Sequence, residues 1–160
     1  MPIEWRLLLL ILIANGAPII ARTLCGSCCA GPLDGGLMLA DGRRLFGDSK
    51  TWRGVAIALL AASLGAVALG LPIMTGLVIG SAAMLGDLTS SFVKRRLGMA
   101  SSSMAPGLDQ IPESLLPLLA VTGDFSLDGL DIALGVAGFI ALELTLSRLL
   151  YWLGIRNRPY

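Results

Sequence analysis

The run LLLLILIANGAPII, residues 7–20, passes without a single charged side chain. A helix that crosses a bilayer needs about 20 mostly apolar residues, and Trp5 to Leu24 supplies them. Further apolar stretches follow from Val55 to about Pro72, from Ile73 to Phe92, from roughly Met104 to Val121 and from Leu130 to Leu153. The tripeptide GLP separates the second from the third, and the fourth is interrupted by Pro106, Pro112, Glu113 and Pro117. A water-facing helix could not hide such runs. Only 14% of the chain is charged, against about 25% in a soluble domain. The expected fold class is all-α integral membrane, a single transmembrane domain over residues 1–160. Its five transmembrane helices are expected at about 5–24, 55–72, 73–92, 104–121 and 130–153, with loops at about 25–54 and 93–110.

The cations orient these spans. Arg22, Arg43, Arg44, Lys50 and Arg53 lie between spans one and two, and Lys94, Arg95 and Arg96 between three and four. Arg148, Arg156 and Arg158 lie at or beyond the end of span five, and Arg6 alone falls on the other side. The link between spans four and five carries only acids, Asp124, Asp128 and Asp131. Cytoplasmic loops are the ones enriched in Lys and Arg. The amino terminus is therefore expected outside, and both basic loops and the carboxyl terminus in the cytoplasm, in a multi-pass protein of the cell membrane. Span one with its ANGA loosely resembles a cleavable signal. However, only Arg6 beside Glu4 precedes it, and apolar residues resume at Ile19 and Ile20, so it reads as a helix.

A net charge of +1 argues against nucleic acid, which needs a basic stripe. The chain has no histidine, so the commonest general base and zinc ligand are missing. Cys25, Cys28 and Cys29 lack a second ligand pair for zinc and are expected to pack as small residues at a membrane border.

The few charges crowd into patches beside the apolar spans. In GDLTSSFVKRRLG, Asp87 precedes Lys94 by seven residues, two helical turns, with Ser91 between them on the same face. An acid at the edge of a membrane helix is costly and so a functional candidate; Thr89 and Ser90 lie off that face. The first loop gathers Asp41, Arg43, Arg44, Asp48, Lys50, Thr51 and Arg53 among glycines, without a Walker-type phosphate loop. Asp109 follows in APGLDQIPES. Carboxylates suit Mg²⁺, which takes one or two of them plus phosphate oxygens, and Lys and Arg suit phosphates. That inventory fits a reaction between a nucleoside triphosphate and a lipid phosphate. A lipid phosphate is already anionic and needs no base to attack.

PLDGGLMLADGRRLFGDSKTWRG, followed by GDLTSSFVKRRLG and PGLDQ, resembles the CDP-archaeol synthase family, and ANGAPII fits that family's Asn-x-x-Pro. The resemblance runs from Ala14 to about Gln110, and the second half is also similar to CDP-diacylglycerol synthases. It implies a five-helix membrane enzyme, a CTP-dependent cytidylyltransferase. The implied partners are CTP and an unsaturated archaeal ether lipid phosphate, the implied product a CDP-lipid with release of pyrophosphate, and the implied cofactor Mg²⁺. Carried residue by residue it marks Asn15, Pro18, Asp34, Arg43, Gly47, Lys50, Thr51, Arg53, Gly54, Asp87, Ser91, Lys94, Arg95, Asp109 and Gln110. On this reading Asp87 and Asp109 hold the metal, and Lys50, Arg53, Lys94 and Arg95 bind phosphates. Asn15 either takes part in the site or bonds a backbone group freed near Pro18.

One position departs. The family pattern has an acid two residues after Gln110, where this chain has Pro112, with Glu113 next. Glu113 is the candidate substitute, although one residue along a helix turns a side chain by about 100°. The alternatives are the same reaction on phosphatidic acid, a kinase or related transferase using Asp34 or Asp41 as base, and a degenerate non-catalytic homologue. Glu143 in span five, five residues before Arg148, reads as a packing residue.

Overall fold

The computed structural model of the protein describes residues 2–26 and 28–152. Five helices carry the fold: α1 (Ile3–Cys25), α2 (Trp52–Ala68), α3 (Ile73–Arg96), α4 (Gln110–Phe125) and α5 (Gly129–Trp152). Three of them, α1, α3 and α5 as far as Leu149, are long and apolar enough to cross a membrane. Helix α2 is apolar but shorter, and α4 has 16 residues. Arg156 and Arg158 lie outside the described residues.

The helix ends differ from the expected spans for local reasons. Helix α2 begins at Trp52 rather than Val55 because Thr51 caps it, its hydroxyl accepting the Gly54 N–H at 3.1 Å. It stops at Ala68, before Gly70 turns the chain with φ +69°. Helix α3 runs on to Arg96, so Lys94, Arg95 and Arg96 form its last turn, where cations meet the negative end of the helix dipole. Helix α4 starts only at Gln110, because residues 97–109 form turns around the end of α3.

Helix α3 packs against α2 on one side and α4 on the other, and α1 touches all four others. Small residues set these distances, as is usual between apolar helices. A Cβ at Gly76 would fall on the Ala62 carbonyl and Ser63 Cα of α2. A Cβ at Gly86 would fall on the carbonyl of Pro112 and within 2.8 Å of Glu113 Cα in α4. Pro112 sits in the first turn of α4, where N–H groups have no helical partner, so a proline breaks nothing.

The apolar core occupies one half of the bundle. Leu7, Leu10 and Ile11 of α1 meet Ile79 of α3, Val121 of α4 and Phe139 of α5. The other half buries Ser91, Lys94, Arg95, Gln110, Glu113 and Ser114 instead.

G86A should lower the thermal midpoint in detergent, since overpacking a tight contact costs about 1–3 kcal/mol. G123A, whose Cβ would meet nothing within 4 Å, should leave it unchanged or raised. Equal midpoints for the two variants, read by tryptophan fluorescence, would count against the close α3–α4 contact.

Candidate active site

Between α1 and α2, residues 28–51 fold back over the end of α3. Asp34 organises this loop. Its side chain is fully enclosed and accepts the N–H groups of Gly36, Phe46 and Gly47 at 3.0–3.1 Å, as well as the Arg44 guanidinium at 2.6 Å. Gly47 has φ +99° and lies against Ser101, a conformation and proximity that other residues resist. Burial would raise the Asp34 carboxyl, but Arg44 and the three N–H groups outweigh it and hold the carboxyl well below its ordinary 3.8. Since the folded-state value is depressed, the charged form stabilises the loop above that ordinary value, and this contribution fades as pH falls below it.

Arginines strap the loop to α3. Arg43 donates to the carbonyls of Arg95 and Arg96 at the helix end. Arg96 donates in return to the carbonyl of Arg44 at 2.6 Å and pairs with Asp41 at 2.5 Å, its guanidinium 5.3 Å from the Phe92 ring centre.

Beneath the strap lie the acids. Lys50 pairs with Asp87, and Glu113 of α4 stands in hydrogen-bonding range of Asp87, with Glu143 of α5 acting on it electrostatically. One residue of shift on α4 therefore still delivers an acid to Asp87, because the helices touch at Gly86. Two turns along α3, Lys94 pairs with Asp109 at 2.7 Å and donates to the Ser103 carbonyl at 2.9 Å. Asp109 also accepts the Ala105 N–H at 2.9 Å, and Gln110 accepts the Gly107 N–H at 2.8 Å. Arg95 donates to the Ala100 carbonyl at 2.6 Å. Arg43, Arg44, Gly47, Arg95 and Ser101 line a cavity of about 230 Å³.

Not every residue marked in the sequence joins this cluster. Asn15 donates to the Ile11 carbonyl of its own helix at 3.0 Å, not to the Ala14 carbonyl that Pro18 leaves without an amide. Thr51 is occupied as the α2 cap, and Arg53 donates to the carbonyls of Gly26 and Cys28. Thr89 and Ser90 bond backbone carbonyls within α3, whereas Ser91 is buried on the face of Asp87 and Lys94. The three cysteines are exposed free thiols rather than packed ones, with the sulfurs of Cys28 and Cys29 3.6 Å apart.

A family model described as CarS-like CDP-archaeol synthase matches residues 3–72 and 66–160. The chain belongs to the CDP-archaeol synthase family. It is 32% identical to the CDP-archaeol synthase of Methanosphaerula palustris, over 81% of this chain and 89% of the relative. It is 33% identical to that of Aeropyrum pernix, over 99% of this chain and 97% of the relative. A solved structure of an intramembrane enzyme for archaeal membrane lipids biosynthesis superposes with a TM-score of 0.73 at 34% identity. The match covers 88% of this chain and 90% of that one.

For a member of this family the fit of a divalent cation can be judged from the donor set. Among the described residues no three Asp, Glu or Cys side chains converge tightly enough to hold a metal alone. Asp87 and Glu113 do face each other as hard oxygen donors. A pair of carboxylates is what Mg²⁺ takes when substrate phosphates complete its shell, so the residues fit it in the presence of nucleotide. Asp109, at the start of α4 and tied to Lys94 two turns from Asp87 along α3, stands apart from this pair.

Sequence reasoning counts Arg44 among the loop cations but singles out neither it nor Arg96 as a site residue. Their place in one VKRR and one GRRL was visible, but their partners Asp34 and Asp41 are set by the folded loop.

D34N should speed tryptic cleavage after Arg43 and Arg44 at pH 8 by about tenfold or more, since a hydrogen bond to a charged group contributes about 1.5–3 kcal/mol. The wild-type loop should stay protected down to pH 5, where the carboxylate is still charged. Identical cleavage rates would remove Asp34 from its role as organiser.

Proposed function

We propose that this chain is a CTP-dependent cytidylyltransferase that transfers CMP from CTP to an unsaturated archaeal ether lipid phosphate, forming a CDP-lipid and pyrophosphate. The observation that carries it is the meeting of Lys50, Asp87 and Glu113 beneath a strap of arginines, at the end of helices apolar enough to cross a membrane. Membership of the CDP-archaeol synthase family supports the reaction and the lipid class.

All five helices form one transmembrane domain in the cell membrane, with the amino terminus outside and the site facing the cytoplasm, as the loop cations favour. A phosphate oxygen of the lipid attacks the α-phosphorus of CTP. A new P–O bond forms as the bond from that phosphorus to the bridging oxygen breaks, and pyrophosphate carries the charge away. Asp87 and Glu113 would hold Mg²⁺, and Asp109, which stands apart from that pair, would be a further carboxylate once Lys94 leaves it. The ion supplies charge neutralisation on the phosphates when bound.

Asp87 and Asp109 are each matched by a lysine. On substrate binding Lys50 and Lys94 turn from these carboxylates to phosphate oxygens. Arg43, Arg44 and Arg95 receive the polyphosphate in their cavity, with Gly47 letting backbone approach it. Asp34, Thr51, Ser91 and Gln110 keep these groups in place. Positioning and charge stabilisation then carry the rate.

Purified protein in detergent, given Mg²⁺ and labelled CTP, should form CDP-lipid with geranylgeranyl ether glycerol phosphate. Phosphatidic acid is offered in parallel. D87N and K50A should each lower kcat by about 10²-fold or more, the scale of losing one preorganised charge contact, and E113Q should do the same. EDTA should abolish turnover. Folded wild-type protein that makes no CDP-lipid with either acceptor would refute the assignment, and product from phosphatidic acid alone would change the lipid.

A further inference from the structure

A second cavity, of about 380 Å³, lies between α1 and α2. Pro18 and Arg22 of α1 form one wall; Ser49, Thr51 and Arg53 form the other. Asp48 borders both cavities, so the chain at 47–49 divides them. Its carboxylate is matched by Arg44 at 2.8 Å, which leaves the second cavity with two arginines in excess. Neither Arg22 nor Arg53 has a carboxylate partner among the described residues. The carbonyls of Gly26 and Cys28 hold one nitrogen of Arg53 and so fix the direction of the rest of its fork.

The surroundings separate this cavity from the first. Ile20, Leu24 and Trp52, which flank Arg22 and Arg53 in the chain, are all exposed. Ile20 and Leu24 belong to α1, which is long and apolar enough to cross a membrane, and Trp52 opens the shorter apolar α2. Apolar surface next to paired arginines is what a lipid phosphate needs, and tryptophan favours the headgroup level. The first cavity is lined by the strapped loop and by residues at and beyond the end of α3, and no residue of α1 or α2 borders it.

We propose that the cavity between α1 and α2 receives the phosphomonoester headgroup of the lipid substrate, with Arg22 and Arg53 as its anion fork and Ser49 and Thr51 as hydroxyl neighbours. Lys50, next in the chain to both hydroxyl residues, then faces the lipid phosphate from the Asp87 side. The inference rests on the cytidylyltransferase reading for its choice of ligand, but its test does not require turnover.

Equilibrium binding of a labelled short-chain ether glycerol phosphate to the detergent-solubilised protein would be measured for wild type, R22Q and R22K, alongside CTP binding. R22Q should weaken the lipid phosphate tenfold or more and leave CTP within twofold. R22K, which keeps the charge but not the fork, should fall between. Glycerol phosphate without tails should bind more weakly than the lipid, and phosphatidylglycerol, a phosphodiester, should compete poorly. In turnover assays R22Q should raise KM for the lipid and leave KM for CTP unchanged. Unchanged lipid binding in R22Q, an equal loss of CTP binding, or equal competition by the phosphodiester would overturn the proposal. Arg22-dependent lipid binding without CDP-lipid formation would keep this site and count against the reaction.

Discussion

Helices α3 and α4 meet backbone to backbone where Gly86 touches Pro112, and this contact decides where the central acids stand. Asp87 is the next residue on one helix and Glu113 the next on the other. With no side chain between the backbones, the helices come close enough for the two carboxyl groups to meet. In a low-dielectric surrounding such an arrangement is costly unless a cation answers it. Lys50 answers it from the loop. The loop therefore has to be in place for the bundle to be comfortable, and the bundle for the loop.

The same logic extends outward. Asp109 is answered by Lys94, Asp34 by Arg44 and Asp41 by Arg96. Charges that would repel or attract solvent are cancelled locally, and the arginine strap closes over the end of α3. A phosphate that reached these cations would have to take them from their carboxylates. The apolar half of the bundle, from Leu7 to Phe139, takes no part in this exchange and serves as its rigid base.

Much of this was legible from residue order. Apolar runs located the five helices, and Asp87, Ser91 and Lys94 share a face because seven residues make two turns. What stayed hidden depended on distance in the fold. The pairing of Arg96 with Asp41 spans 55 residues, and no local pattern announces it. Pro112 looked like a lost acid, since helical geometry alone turns Glu113 away by about 100°. The close crossing at Gly86 brings Glu113 back, and a crossing point cannot be read from one helix. Hydropathy also ended span three at Phe92, while the three cations beyond it continue the helix. Polar residues at a helix end are invisible to an apolar count.

The strap has a consequence for how the protein is made. Arg43 finds its carbonyl partners on residues 52 and 53 positions later. At about 5–20 residues per second, the loop waits several seconds on the ribosome before α3 exists. During that interval Asp34 can order the loop internally, because its partners lie within thirteen residues, and Arg53 can hold its start, but the bonds to α3 have no partner yet. Synthesis thus separates a locally ordered loop from its docking. The last turn of α3 is the event that joins them.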